Sequence, residues 1–219
     1  NMESSEATEC SSVMKDYLKA IRDRLQDECR TCNFTKEKKQ IKEEDQWLLK
    51  YLERNEFWIR EEYCEEMCRR LGITPSLRGY YSDVLVWFPD KKFKMKPVCP
   101  TCGSNARVGV HAYPKKTYGR RVISLRRNYY IISRRYICHH CENVRPKVKY
   151  TFMGYNENSI KQLPRQYGQH FPAMLTHKLS IDKALLDMMR PLFDGGIRPN
   201  RFHKMILEMQ SKEHTRRSI

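Results

Sequence analysis

The sequence predicts a mixed α+β fold, and three observations carry that prediction. Apolar residues recur at helical spacing near both ends, β-branched and aromatic residues crowd the middle, and two Cys-x2-Cys pairs bracket much of that middle stretch. The architecture implied is a helical N-terminal unit, an antiparallel zinc ribbon with a long hairpin, and a C-terminal helical hairpin like a helix-turn-helix. In residues this is a disordered tail over 1–11, the helical unit over 12–78, the basic zinc ribbon over 79–155 and the C-terminal helices over 156–212.

Residues 1–11 are small, acidic and polar, a composition that buries too little apolar surface to order itself. Val13, Tyr17, Leu18, Ile21 and Leu25 then mark one face of a first helix, and Ile41, Leu48, Leu49 and Leu52 a second following Thr35. Trp58, Ile59, Tyr63, Met67 and Leu71 predict a third over 56–71, with Asn55 as its N-cap and Gly72 and Pro75 at its end. The outer faces mix Glu with Lys and Arg, which reads as solvated helix surface. From Asp83 to Phe88 the pattern changes to an apolar run bounded by Pro89, a strand. Residues 107–113, 121–125 and 129–137 also have strand composition, with Pro114, Gly119 and Asn128 near their ends. In the last third Ser180 is the expected N-cap of a helix with Ile181, Ala184, Leu185, Met188, Met189, Leu192 and Phe193 at helical spacing. Pro191 should kink that helix or end it at Arg190. After Asp194-Gly195-Gly196, Pro199-Asn200 opens a short helix with Phe202, Met205, Ile206 and Met209 inward.

Charge is distributed unevenly along this framework. The chain has 219 residues, with 42 Lys and Arg against 26 Asp and Glu, a net +16. Residues 1–90 hold 15 basic and 19 acidic side chains, residues 91–149 hold 16 and 1, and residues 150–219 hold 11 and 6. Only Glu142 opposes the basic middle segment, which would repel itself unless a polyanion, nucleic acid foremost, lies against it. A solubilising basic surface is the plainer alternative, but such surfaces usually mix both signs. No apolar run approaches the roughly 20 residues of a membrane-spanning helix, and the acidic opening has no secretory pattern. The expectation is a cytosolic or nuclear protein with no membrane partner.

Nine cysteines fall at 10, 29, 32, 64, 68, 99, 102, 138 and 141, eight of them in close pairs. Such pairing in a basic chain without a secretory pattern favours thiolate metal ligands over disulfides. The sharpest motif is Cys99-Pro100-Thr101-Cys102-Gly103 with Cys138-His139-His140-Cys141. Two intervening residues let a tight turn aim both sulfurs and nearby backbone N–H groups at one ion. These four cysteines are therefore assigned one zinc; a closed sulfur shell makes it structural. The 35 residues between the pairs exceed the 15–20 of a usual ribbon, so the hairpin must be extended or carry an insertion. His139 and His140, between the last two ligands, either substitute for Cys138 in the coordination or, on the simpler reading, flank the second pair and are exposed. A second set, Cys29, Cys32, Cys64 and Cys68, has two open readings. It forms a second zinc stapling the N-terminal helices, or it consists of buried thiols that pack them.

Nucleic-acid contacts are expected from the basic doublets Lys115-Lys116, Arg120-Arg121, Arg126-Arg127 and Arg134-Arg135. Successive strand residues point to opposite faces, so about half of these can serve one surface. Tyr113, Tyr118, Tyr129, Tyr130 and Tyr136, interleaved with them, either stack on bases or pack along the sheet, packing being favoured. Helix, glycine turn and second helix place Arg198, Asn200, Arg201, His203 and Lys204 where a helix-turn-helix reads the major groove, although plain helical hairpins share that outline. Asp182, Asp187 and Asp194 are explained by capping, a solvated face and a turn, so no catalytic set is assigned and the chain is read as a non-enzyme.

Trp87-Phe88-Pro89, P-V-C-P-T-C-G-S over 97–104, R-R-Y-I-C-H-H-C over 134–141 and L-P…F-P-A-M-L-T-H-K over 163–178 together resemble an uncharacterised zinc-ribbon domain family. Its members are fungal and animal proteins that look derived from mobile elements, and the similarity covers roughly 81–210. The resemblance implies a zinc-bound domain in a nuclear, chromatin-associated or transposon-derived protein. Cys99, Cys102, Cys138 and Cys141 match the family's ligand positions, and no catalytic residue carries over. The expected function is zinc-dependent nucleic-acid binding, duplex DNA ahead of RNA. The alternatives are a structural-zinc interaction scaffold and the non-catalytic DNA-targeting part of a nuclease or transposase.

Overall fold

A computed structural model describes residues 2–29, 46–75, 81–114, 117–144, 150–176 and 180–217. The fold is mixed α+β, with helices at both ends and, among the described residues, three small sheets between them. Helix α1 (Met2–Glu28) starts before the point expected from composition, but its core-facing positions, Met14, Tyr17, Leu18, Ile21 and Leu25, begin where the periodicity placed them. Helix α2 (Trp47–Arg54) buries Leu48, Leu49 and Leu52 against it. The N-terminus of α2 lacks a side-chain cap of its own. The buried Glu28 carboxylate does that work from α1, accepting the backbone N–H groups of Leu48 (3.2 Å) and Leu49 (2.8 Å).

Asn55 is not the start of the expected third helix but the end of α2, where its side-chain amide donates to the Tyr51 carbonyl. The chain then reverses through Glu56 and Phe57 at φ 50° and 66°. That left-handed backbone is costly for non-glycine residues; burial of the Phe57 ring in the core offsets it. The reversal releases Trp58–Ile59 as strand β1, and only Cys64–Arg70 forms α3, after a 3-10 turn over Glu61–Tyr63.

Strand β2 (Val84–Trp87) is buried on both faces, which explains its unbroken apolar run. Val84 and Val86 pack under the N-terminal helices; Leu85 and Trp87 pack on the opposite side with Phe171, Ala173 and Leu163. After the single turn of α4 (Pro89–Lys92) come β3 (Val108–Ala112), β4 (Arg120–Val122), β5 (Tyr129–Ser133) and β6 (Arg135–Cys138). One sheet has the order β1-β2-β5-β4, and its central β2·β5 pair is parallel. A second has the order β3-β6-β7, with β7 at Thr151–Met153.

The expected strand over 129–137 is therefore two strands in two sheets, hinged at Arg134. The long insertion is not one extended ribbon. Its outer parts, β3 and β6, pair antiparallel, while β4 and β5 fold away into the sheet built on β2. At the hinge the Trp87 indole donates to the Gly154 carbonyl and the Ser133 hydroxyl to the Trp87 carbonyl. A Cβ at Gly154 would lie 2.6 Å from the Ser133 hydroxyl, so glycine is required for this close approach.

Short helices α5 (His139–Val144), α6 (Glu157–Lys161) and α7 (Arg165–Gly168) surround this core. Ser180 does not cap a helix: Ser180–Asp182 is strand β9, paired with β8 (Ala173–Leu175). Asp182 is the cap of α8 (Lys183–Asp194), accepting the Ala184 N–H at 2.9 Å. Pro191 lies inside α8, which continues to Asp194. Helix α9 (Pro199–Arg217) folds back, with Phe202 and Ile206 buried on Leu185.

Candidate metal centre and basic surface

Gly103 adopts φ 69° and donates its N–H to the Cys99 carbonyl, closing the turn that brings Cys99 and Cys102 together. Cys138 ends β6 and Cys141 lies one turn on in α5, so a strand-to-helix junction aims the second pair. Antiparallel pairing of Val108 with Cys138 sets the two turns side by side. The sulfurs of Cys99 and Cys141 are 3.8 Å apart, those of Cys102 and Cys138 3.7 Å, and all four lie within 4.8 Å of one another.

Sulfurs on a tetrahedron with zinc bonds of about 2.3 Å are separated by about 3.8 Å, so the spacing fits one zinc. Cys99, Cys138 and Cys141 are buried and Cys102 faces outward. Burial pushes the Cys141 and Cys138 thiols up. Burial has the same effect at Cys99, but N–H donors from Cys102 and Thr101 outweigh it and lower that thiol. The Thr101 N–H lies 3.4 Å from the Cys99 sulfur, the outer-shell support a thiolate ligand needs. His139 is half-exposed and its Nδ1 lies 3.2 Å from Glu142, while His140 is exposed, as expected.

Among the described residues no second group of this kind occurs. Cys29, Cys64 and Cys68 are buried in the N-terminal core without coming together as ligands, and Cys32 lies outside the described residues. Burial pushes the Cys64 thiol up to about 11, the behaviour of a packing thiol.

The basic residues divide sharply. Arg134 is 0% exposed, its guanidinium paired with Asp90 and lying 4.8 Å over the Phe88 ring, so it is removed from the expected phosphate contacts. Arg127 donates to Glu61 at 2.8 Å and faces Glu213 at 3.9 Å. Arg120 donates to the Ser180 hydroxyl and the Thr176 carbonyl. Arg135 is half-buried; Arg121 and Arg126 are exposed on the β4–β5 hairpin; Lys115 and Lys116 lie outside the described residues. Arg198, Asn200, Arg201, His203 and Lys204 are all exposed around the start of α9. Gln210 ties α9 to that hairpin by donating to the Ser124 carbonyl at 2.8 Å. Tyr129 and Tyr136 are buried and Tyr113, Tyr118 and Tyr130 pack against the core, so the packing alternative holds for the tyrosines.

Sequence reasoning missed Asp90, Glu61 and Glu28, because a carboxylate's partner across the fold leaves no local signature. Residues 63–219 match the model of a family described as a domain of unknown function (DUF6729). No curated protein and no solved structure matches the chain.

Proposed function

The chain belongs to the DUF6729 family, and we propose that it is a zinc-stabilised nucleic-acid-binding module with duplex DNA as its favoured partner. The observation carrying this reading is the group of exposed basic side chains left after the structural ones are set aside. Among the described residues, Arg121, Arg126, Arg198, Arg201 and Lys204 are exposed and make no ion pair with a carboxylate. Arg201 and Lys204 lie three residues apart in the first turns of a 19-residue helix, on the same side.

In this reading zinc supplies rigidity alone, by joining the two cysteine turns at the base of β3 and β6. Phosphates are bound by the exposed arginines and lysine, and Asn200 and His203 meet base edges. The zinc-ribbon and mobile-element ancestry implied by the sequence resemblance, a nuclear location and a non-catalytic role belong to the same proposal.

Anisotropy of a labelled duplex between about 50 and 200 mM salt tests it. Neutralising five phosphates gives a log–log slope of about −4.5. Arg121→Ala with Arg126→Ala should reduce the slope by about 2 at unchanged melting temperature. A flat salt response overturns the reading. Competition among duplex, single-stranded DNA and RNA ranks the partners, and intact plasmid after incubation with magnesium supports a binding rather than a nuclease role. The interaction-scaffold alternative is favoured by one feature, exposed Met174 beside a groove of about 340 Å³ lined by Ile160, Leu175 and Leu186. It requires a protein partner and no salt-dependent nucleic-acid binding.

A further inference from the structure

Strand β9 lies against the end of β4: the Ile123 N–H donates to the Ser180 carbonyl and the Asp182 N–H to the Ile123 carbonyl, both at 2.9 Å. Backbone groups of successive strand residues point to opposite sides, so Ile181 turns its own N–H and C=O toward β8, where Met174 is its partner. The Lys183 N–H, donating to the Pro172 carbonyl at 2.8 Å, continues that alternation. The N–H and C=O groups of Ala173 and Leu175 are therefore directed away from β9, along the outer edge of the sheet. Among the described residues no turn, loop or cap bond satisfies them. The groove of about 340 Å³ beside Met174 borders this edge. All three residues of β8 line it although successive side chains point to opposite faces, which puts the opening at the strand's rim and not on one face. One wall is α6 with Ile160; the other is α8, whose Lys183, Leu186, Asp187 and Arg190 share one side at helical spacing. Leu186 takes no part in the apolar cluster that packs α8 on α9, and Met174 is 54% exposed. On α6 Lys161 is paired with Glu157 at 2.7 Å. On α8 the exposed Lys183 and Arg190 outnumber Asp187, and among the described residues none of the three is ion-paired, so this wall is net positive.

We propose that this groove binds an extended peptide segment of a protein partner, added to β8 as a further strand, with an apolar side chain between Ile160 and Leu186 and an acidic one toward Lys183 and Arg190. A strand is the occupant that complements what is exposed. Its backbone supplies the acceptors and donors that Ala173 and Leu175 lack, which a helix, with its backbone bonds already closed, does not. Alternate side chains of such a strand fall into the groove, where the flexible thioether of Met174 adapts to their shape. None of the basic residues assigned above to nucleic acid lines the groove, so this inference does not rest on that reading.

A display library of short random peptides is selected on the zinc-loaded full chain, with Leu186→Glu as counter-target, and enriched peptides are synthesised for titration. Zinc content and melting temperature report that Leu186→Glu is folded. The enriched sequences should alternate apolar with polar residues and carry an acidic one, and Leu186→Glu should lose their binding, since it places a charge in the apolar wall. In hydrogen exchange the Met174 amide should be protected in the free chain, and those of Ala173 and Leu175 only with peptide bound. Methylating the backbone nitrogens of one alternate set in the peptide should weaken binding about tenfold per bond lost, and methylating the other set should leave it unchanged. No enrichment over the counter-target overturns the proposal, as does peptide binding that leaves the Ala173 and Leu175 amides in fast exchange. Self-association abolished by Leu186→Glu gives the groove to a second copy of the chain and overturns the peptide assignment as well. A flat salt response toward duplex DNA with peptide binding intact overturns the nucleic-acid reading and leaves this one standing.

Discussion

Arg134 carries its charge to the point where one strand leaves a sheet and the next enters another. Its partners are Asp90, from the single turn after β2, and the rings of Phe88 and Tyr136. Removing one member of a buried pair strands the other, so Arg134→Met should cost about 3–5 kcal/mol. Arg134→Met combined with Asp90→Asn should cost less than Arg134→Met alone, as read by urea unfolding. Equal losses would mean that Asp90 is not the partner that matters. Glu61 gives a pH signature. Burial pushes its carboxyl up to about 7, against the lowering effect of Arg127 and with further elevation from Asp83 and Glu213. A carboxyl raised in the folded state holds its proton there longer than in the unfolded chain, so its contribution to stability is full below about pH 4.5 and is lost as pH rises toward 7. Glu61→Gln should remove that decline, with a difference from wild type near neutral pH of about 1–2 kcal/mol after allowance for solvent screening. Melting curves from pH 4 to pH 8 that stay parallel for the two proteins would contradict it. Neither residue announces its role locally: Arg134 stands in an arginine doublet, and Glu61 in a run of charged helix-forming residues.

Elements were legible where their signal is periodic and local. The face of α1, the core of α2 and the strand Val84–Trp87 follow directly from apolar spacing. Boundaries failed where a side chain from elsewhere decides. The capping oxygen of α2 comes from Glu28, some 20 residues earlier in the chain. Glu28→Ala should therefore destabilise the protein by about 1–2 kcal/mol and lower amide protection at Leu48 and Leu49 in hydrogen exchange. Protection lost uniformly along α1 instead would assign Glu28 to packing. The helix expected over 56–71 gave way because burying Phe57 and pairing Trp58 and Ile59 with β2 satisfies more of the chain than continued helical periodicity would. Ser180 and Asp182 are both acceptable caps by type; the pairing of Ser180–Asp182 with β8 selects the second.

Across the whole molecule the metal centre and the nucleic-acid proposal depend on different structural levels. Three of the four ligands, Cys99, Cys138 and Cys141, share a small cluster with Val108, Tyr136 and Phe152, apart from the core joining α1 and α2 to the central sheet. Chelation of zinc, or Cys138→Ser, should melt β3, β6 and β7 first, because ligand binding energy is folding energy in such sites. Hydrogen exchange should show those amides opening while α1 remains protected, and Trp87 fluorescence should shift as its bond to the Gly154 carbonyl is lost. Unchanged exchange after verified metal removal would detach the fold from zinc.

By itself the sequence determined the α+β class, the four ligands and the concentration of positive charge. Each of these is set by residue type and by short spacings that survive any arrangement of the rest. Only the tertiary structure decided that the stretch over 129–137 serves two sheets, and that Arg134 and Arg127 neutralise carboxylates while Arg121 and Arg126 face solvent. The reason is physical: burial and ion pairing belong to pairs of residues brought together by the fold, and a one-dimensional pattern records a residue's chemistry but not its neighbour across the core.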